Sequence, residues 1–280
     1  MPHLRVAEWI NLLTFSGFSA LGWMRHSRDR ARRNKIAAIG AAGLAITAFA
    51  SLALPAILPE LAASVCRDWV PYLLLLMVYW QAGQFVTRTD SGFEARLEQL
   101  DRRMVIPVLE QCAQHPAGGW ILGYLEFAYM FCYASMPLGL GTLYVLRAGR
   151  EADHYWGVVL PATYLSYAML AVVQTRPPRR IGEKWRVTLP SGKLRALNLW
   201  ILRHASIHTN TFPSGHVAST TACALVLLRV APLWVGLLFF AVAVSIALGA
   251  VAGRYHYAAD VILAALLAAA VFGVETVLDP

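Results

Sequence analysis

The sequence predicts an all-α, polytopic transmembrane helix bundle of seven or eight spans, and three observations carry that expectation. Of 280 residues, 58% are hydrophobic and only 14% charged, too little polar surface to cover a soluble globule of this size. The apolar residues gather into stretches of about 17 to 25, the length that crosses a bilayer as a helix. The polar residues, with a net charge of +8, collect in the loops between them.

The first stretch, 7–24, is the weakest. It contains Glu8, Asn11 and Ser16, has only Arg5 as a basic start and shows no clear small-residue cleavage site. It therefore resembles neither a secretory signal nor a fully apolar span, and is expected to stay in the mature protein. Seven stronger stretches follow at 36–58, 69–86, 120–146, 155–174, 214–230, 232–252 and 258–277. Residues 1–68 read as N-terminal transmembrane segments ahead of a membrane domain at 69–280, together one structural unit. Within the polar segment 87–119, Phe93, Leu97, Leu100, Met104 and Val108 recur at helical spacing among Arg and Glu. Either an amphipathic helix on the membrane surface or a solvated connector has that pattern. Gly139 and Gly141 lack the third glycine and preceding strand of a nucleotide loop and suit close helix packing.

Composition also excludes some functions. Cys66, Cys112, Cys132 and Cys223 show no paired spacing, so neither a disulfide framework nor a zinc motif is implied. No segment resembles a nucleic-acid-binding module, and the basic loops suit anionic head groups or phosphorylated substrates instead. His204 and His208 have one-turn spacing but no carboxylate partner nearby, so packing over a pocket or contact with a head group is favoured above metal binding. His3, His26, His115 and His154 carry no signal.

Three short strings carry chemistry. In Phe212-Pro213-Ser214-Gly215-His216, Ser214 is a good N-cap and Gly215 removes a side chain where a ligand would approach. The first-turn N–H groups of the helix that follows suit an anion, and His216 can hand a proton to a leaving oxygen. Standing alone, the string is equally an ordinary capped helix start. In Arg254-Tyr255-His256-Tyr257-Ala258-Ala259-Asp260, an imidazole and a carboxylate have one-turn spacing, which orients a nucleophilic ring. Such a pair beside an apolar helix is costly unless it faces a cavity. In Thr175-Arg176-Pro177-Pro178-Arg179-Arg180, arginine forks suit phosphate oxygens. Interfacial anchoring accounts for Arg179 and Arg180, which leaves Arg176 as the better candidate. Counting crossings from Arg25–Lys35 puts that segment, the 87–119 loop and both histidine strings on one face.

The three strings together resemble the type 2 phosphatidic-acid phosphatase superfamily, and within it the branch of the inositol phosphorylceramide synthases. The family's Arg-Pro, Pro-Ser-Gly-His and His-x-x-x-Asp patterns match Arg176-Pro177, Pro213–His216 and His256 with Asp260. Two departures stand out. Met169 occupies the place of a family lysine, and Gly249-Ala250 that of Ser-Arg, so Arg254, one helical turn on, is expected to supply the missing guanidinium. The resemblance implies a six-helix phosphatase-type core and a metal-independent, cofactor-free enzyme acting on a phosphorylated lipid. His256 would be the nucleophile, Asp260 its orienting carboxylate and His216 the acid and base. Arg176, Arg254, Ser214 and Gly215 would bind the phosphate. Lipid phosphatase is the leading function, phosphotransfer to an alcohol the alternative, and a non-enzymatic lipid-binding or transport role a third. A multi-pass protein of a bacterial inner membrane is expected. The basic cluster from Arg25 to Lys35 favours a cytoplasmic site, the resemblance an extracytoplasmic one, and the expectation follows the resemblance. The lipid and the oligomeric state are left open.

Overall fold

Every apolar stretch becomes helix. The structure is a computed structural model describing residues 4–26, 28–180 and 192–278. In chain order its helices are α1 (Val6–Arg25), α2 (Arg30–Ile57), α3 (Glu60–Gly83), α4 (Ser91–Met104), α5 (Ile106–Gln114) and α6 (Gly118–Met130). Then come α7 (Cys132–Val145), α8 (Ala152–Ala168), α9 (Lys193–Ala205), α10 (Gly215–Val230), α11 (Leu233–Ala252) and α12 (Ala258–Leu278). Their starts follow the capping rule that a side-chain oxygen satisfies an orphan N–H. Asp29 accepts from Arg32 N at 3.0 Å, Asp90 from Phe93 N at 2.9 Å, and Ser214 from Val217 N at 3.4 Å.

Among the described residues four helices, α2, α3, α11 and α12, are each long and apolar enough to cross a membrane unaided. Of the other expected spans, 7–24 is one continuous helix of 20 residues but less apolar, and the rest are helical but shorter or interrupted. The 120–146 stretch divides at Phe131 into α6 and α7, and Pro137 sits inside α7. The 155–174 stretch leaves α-helix at Ala168, because beyond it Gln174 is drawn into the neighbouring loop. Its side chain accepts from Thr87 N and Arg88 N and donates to Phe85 O, all between 2.7 and 3.0 Å. Two of the polar residues that weaken 7–24, Glu8 and Asn11, are satisfied inside the bundle, while Ser16 is exposed. Asn11 accepts from Tyr164 Oη at 2.7 Å and donates to Ala7 O at 2.9 Å, while Glu8 takes Arg67 at 2.7 Å. One continuous apolar core joins Phe15, Phe18 and Ile36 of the first helices to Trp156, Leu160, Val217 and Ala264.

A β-carbon on Gly139 would collide with Cys223 Sγ and Tyr155, whereas one on Gly141 would meet open space. Close packing thus explains the first glycine and not the second.

The segments that the crossing count puts on one face do gather at one end. Arg25 donates to Ala171 O, Arg32 to Val86 O at 2.8 Å, and Asp90 N to Gln174 O at 2.9 Å. Across the bundle, Arg5, Ser64, Asp68, Tyr144 and Trp156 form a second polar layer.

The amphipathic reading of 92–111 is corrected in one respect. Leu100, Met104 and Val108 are exposed, but the face of α4 turned to the protein presents Glu94, Leu97 and Asp101, all buried. Phe93 packs edge-on against Phe212 with centroids 5.0 Å apart. The helix is docked by its acidic residues as much as by its apolar ones.

Candidate active site

Asp260 organises the site from the first turn of α12. Its Oδ2 accepts from His256 Nδ1 at 3.3 Å, from Tyr257 N at 3.2 Å and from Asn210 Nδ2. His256 precedes the helix instead of lying on it, so the contact is a capping arrangement at a helix start and not two residues on one helical face. With Nδ1 on the carboxylate, Nε2 is the nitrogen left for chemistry. The backbone joins the two histidine strings directly, since Ser214 N donates to Asp260 O at 3.2 Å.

His216 lies in the first turn of α10. Its ring stands perpendicular to that of His256, interplanar angle 85°, with centroids 6.4 Å apart. Tyr133 and Tyr129 hold it edge-on at 5.4 and 6.0 Å. Both imidazoles line one cavity of about 40 Å³, walled also by Arg179, Thr209, Asn210, Thr211 and Gly215. Such a space holds a few water molecules, and hence one phosphate-sized group. Gly215 is required there: a β-carbon would sit 2.6 Å from the Tyr167 ring.

The sequence model of the PAP2 superfamily, the type 2 phosphatidic-acid phosphatases, matches residues 95–274, which hold all three strings. The chain belongs to this superfamily. Membership supports a membrane-associated lipid enzyme of the phosphatase or phosphotransferase type. No curated protein and no solved structure matches the chain.

Within this PAP2 site the arginines are arranged differently from the expectation. Arg176 does not line the cavity. Its backbone N donates to Glu94 Oε1 at 2.6 Å and its guanidinium to Oε2 at 2.8 Å, and that carboxylate raises the arginine above its ordinary value. Arg254 is not in the cavity either. Helix α11 ends at Ala252, Arg254 takes a left-handed φ of 59°, and its guanidinium meets Asp101 at 2.7 Å. The helical continuation that would have carried it to the place of Ala250 does not occur. Burial pushes the Asp101 carboxyl up from its ordinary value even beside this partner. Among the described residues, Arg179 brings a guanidinium to the cavity wall, its Cζ 5.3 Å from the Tyr255 ring centroid. The Arg180 side chain lies outside the described residues.

The N–H groups of Ser214 and Gly215, expected to face the phosphate, point into the protein, to Asp260 O and to Thr211 Oγ1 at 3.0 Å respectively. Both residues shape the loop, and only Gly215 reaches the cavity wall.

Sequence reasoning missed Asn210, Arg179 and Glu126. Asn210 is anchored by an antiparallel bridge to Thr175, a pairing with no local signal. Glu126 did carry one, being a carboxylate inside an apolar stretch. It accepts from Tyr255 Oη, from Asn198 Nδ2 at 3.1 Å and from Arg195 at 3.1 Å. That network fastens α9 over the cavity, where Leu202 forms part of the wall. His204 bonds Trp200 O at 2.8 Å and packs at a tilt against its ring, centroids 4.6 Å apart. Among the described residues no three metal-ligating side chains cluster.

Proposed function

We propose that the chain is an integral-membrane lipid phosphatase hydrolysing a phosphomonoester or pyrophosphate of a lipid through a phosphohistidine at His256. One observation carries this reading: two imidazoles face a single phosphate-sized cavity, and one of them has its far nitrogen on a buried carboxylate. His256 Nε2 bonds to phosphorus as the phosphorus–oxygen bond to the lipid breaks, and His216 gives its proton to the departing oxygen. Water then loses a proton to His216 and attacks the phosphohistidine, releasing phosphate and restoring His256. Asp260 favours the imidazolium character that develops in the attacking ring, and Arg179 opposes the charge on the phosphoryl oxygens. Residues 69–280 form the unit that carries the site, with 1–68 packed into the same core.

A lipid alcohol in place of water would give phosphotransfer, as in the inositol phosphorylceramide synthase branch, with the same residues. Incubating purified protein with radiolabelled lipid phosphate and quenching in base is expected to trap a base-stable, acid-labile phosphoprotein. Phosphate release independent of added alcohol supports hydrolysis. Consumption of the labelled lipid that requires alcohol, with the label moving into a phosphorylated alcohol and no free phosphate, makes the chain a phosphotransferase, and no labelled protein removes the covalent mechanism.

For the membrane face, we retain the extracytoplasmic side. The Lys and Arg count favours the cytoplasm. Yet Arg25 and Arg32 bond backbone carbonyls, and Arg176, Arg195 and Arg254 pair with Glu94, Glu126 and Asp101. Their placement thus has structural reasons of its own. Cys112 of α5 is at the site end and exposed Cys66 at the other. A membrane-impermeant maleimide is expected to label Cys112 in intact cells and Cys66 only after permeabilisation; the reverse pattern puts the site in the cytoplasm.

A further inference from the structure

A second cavity, of about 280 Å³, continues from the phosphate-sized one towards the middle of the bundle. The two share Tyr79, Tyr167, Leu202, Ser206 and His216. From Tyr79 at its mouth the cavity runs along α3 to Tyr72, seven residues and so about 10 Å of helix rise. Leu75, Cys132 and Met136 line its deep part. Two of the tyrosine hydroxyls in its wall are already bonded within the protein. Tyr72 donates to Tyr133 O at 2.9 Å, and Tyr79 bonds Ser206 at 3.2 Å. A cavity whose walls are mostly apolar side chains takes hydrocarbon in preference to water.

We infer that this cavity receives one hydrocarbon chain of the phosphorylated substrate and sets the length of chain the enzyme prefers. The inference rests on the phosphatase reading of the adjoining site. A cavity of about 150 Å³ accommodates benzene, so this one has room for a chain of roughly ten carbons. His216 is at the junction, which puts the acid that protonates the leaving oxygen where chain and phosphate meet. Exposed Leu73 and Leu76 of α3 line the cavity together with Ile201 and Ala205 of α9, leaving a lateral way in from the bilayer. A second chain, where the lipid has one, stays outside along this opening.

The test uses a series of monoalkyl phosphates from butyl to hexadecyl, supplied below their micelle-forming concentrations. With the detergent-purified full chain, kcat/KM is expected to rise by up to about fourfold per added methylene, then level near decyl phosphate. Met136→Ala, which deepens the cavity, is expected to move that break to longer chains, and Ala205→Phe, which narrows it, to shorter ones. Decyl phosphate carrying a terminal diazirine is expected to label the Tyr72–Leu76 or Cys132–Met136 peptides of the unmodified chain, a readout needing no variant. Equal rates across the series, or label only on other lipid-facing helices, overturn the cavity assignment and leave the phosphatase reading standing. Phosphate release from no member of the series overturns both.

Discussion

Replacing His256 with alanine is expected to lower phosphate release by about 10,000-fold or more and to abolish the trapped phosphoprotein. No other described side chain presents an imidazole nitrogen backed by a buried carboxylate into the cavity. The companion substitution Asp260→Asn separates nucleophile from positioning residue. Asp260 touches His256, Tyr257 N and Asn210 and not the cavity itself. An amide in its place can offer a donor to Nδ1 and so turn the ring or select the wrong tautomer, an effect worth about 10,000-fold in a hydrolase where it was isolated. The loss should fall on kcat with KM nearly constant, measured by steady-state phosphate release. A loss confined to KM would mean that Asp260 shapes substrate binding, and full activity in His256→Ala would end the proposed mechanism.

The extent to which this site was legible follows from how each part is encoded. His216, His256 and Asp260 are read directly because each is fixed by its neighbours in sequence: a helix start with its N-cap, and a turn closing on the first turn of the next helix. The helices were legible for the same reason, since an apolar stretch in this composition has no other way to satisfy its backbone. What failed is what depends on contacts distant in sequence. Nothing near Arg176 says that Glu94, 82 residues away, will take its guanidinium, and nothing near Arg254 announces Asp101. In sequence those two acids are simply charged positions between the apolar ones of 92–111. Folded, they are the side that docks α4 onto the loops of the site, and they hold Arg176 and Arg254 away from the cavity. The apolar spacing of α4 was sound, but a hydrophobic stripe says nothing about an acidic stripe beside it.

From this reassignment comes the second large expected effect. Arg179→Ala should lower kcat/KM by about 100- to 1,000-fold, the loss typical of removing one group that stabilises transition-state charge, whereas Arg176→Ala should cost only a few fold. Geometry sets the order: Arg179 lines the cavity with both imidazoles, while Arg176 has its backbone and side chain on the buried Glu94. Removing Arg176 leaves that carboxylate without its cation, so its main consequence should be a lower unfolding midpoint as α4 loosens. Arg179→Lys provides the finer reading. A lysine keeps the charge but loses the planar fork that meets two oxygens at once, so activity should recover in part and competitive inhibition by inorganic phosphate should stay weaker than in the parent. Steady-state kinetics with and without phosphate, beside thermal unfolding of the same preparations, measures both variants. A large kinetic loss in Arg176→Ala with little in Arg179→Ala would return the ligand role to Arg176, and would require its guanidinium to leave Glu94 when substrate binds.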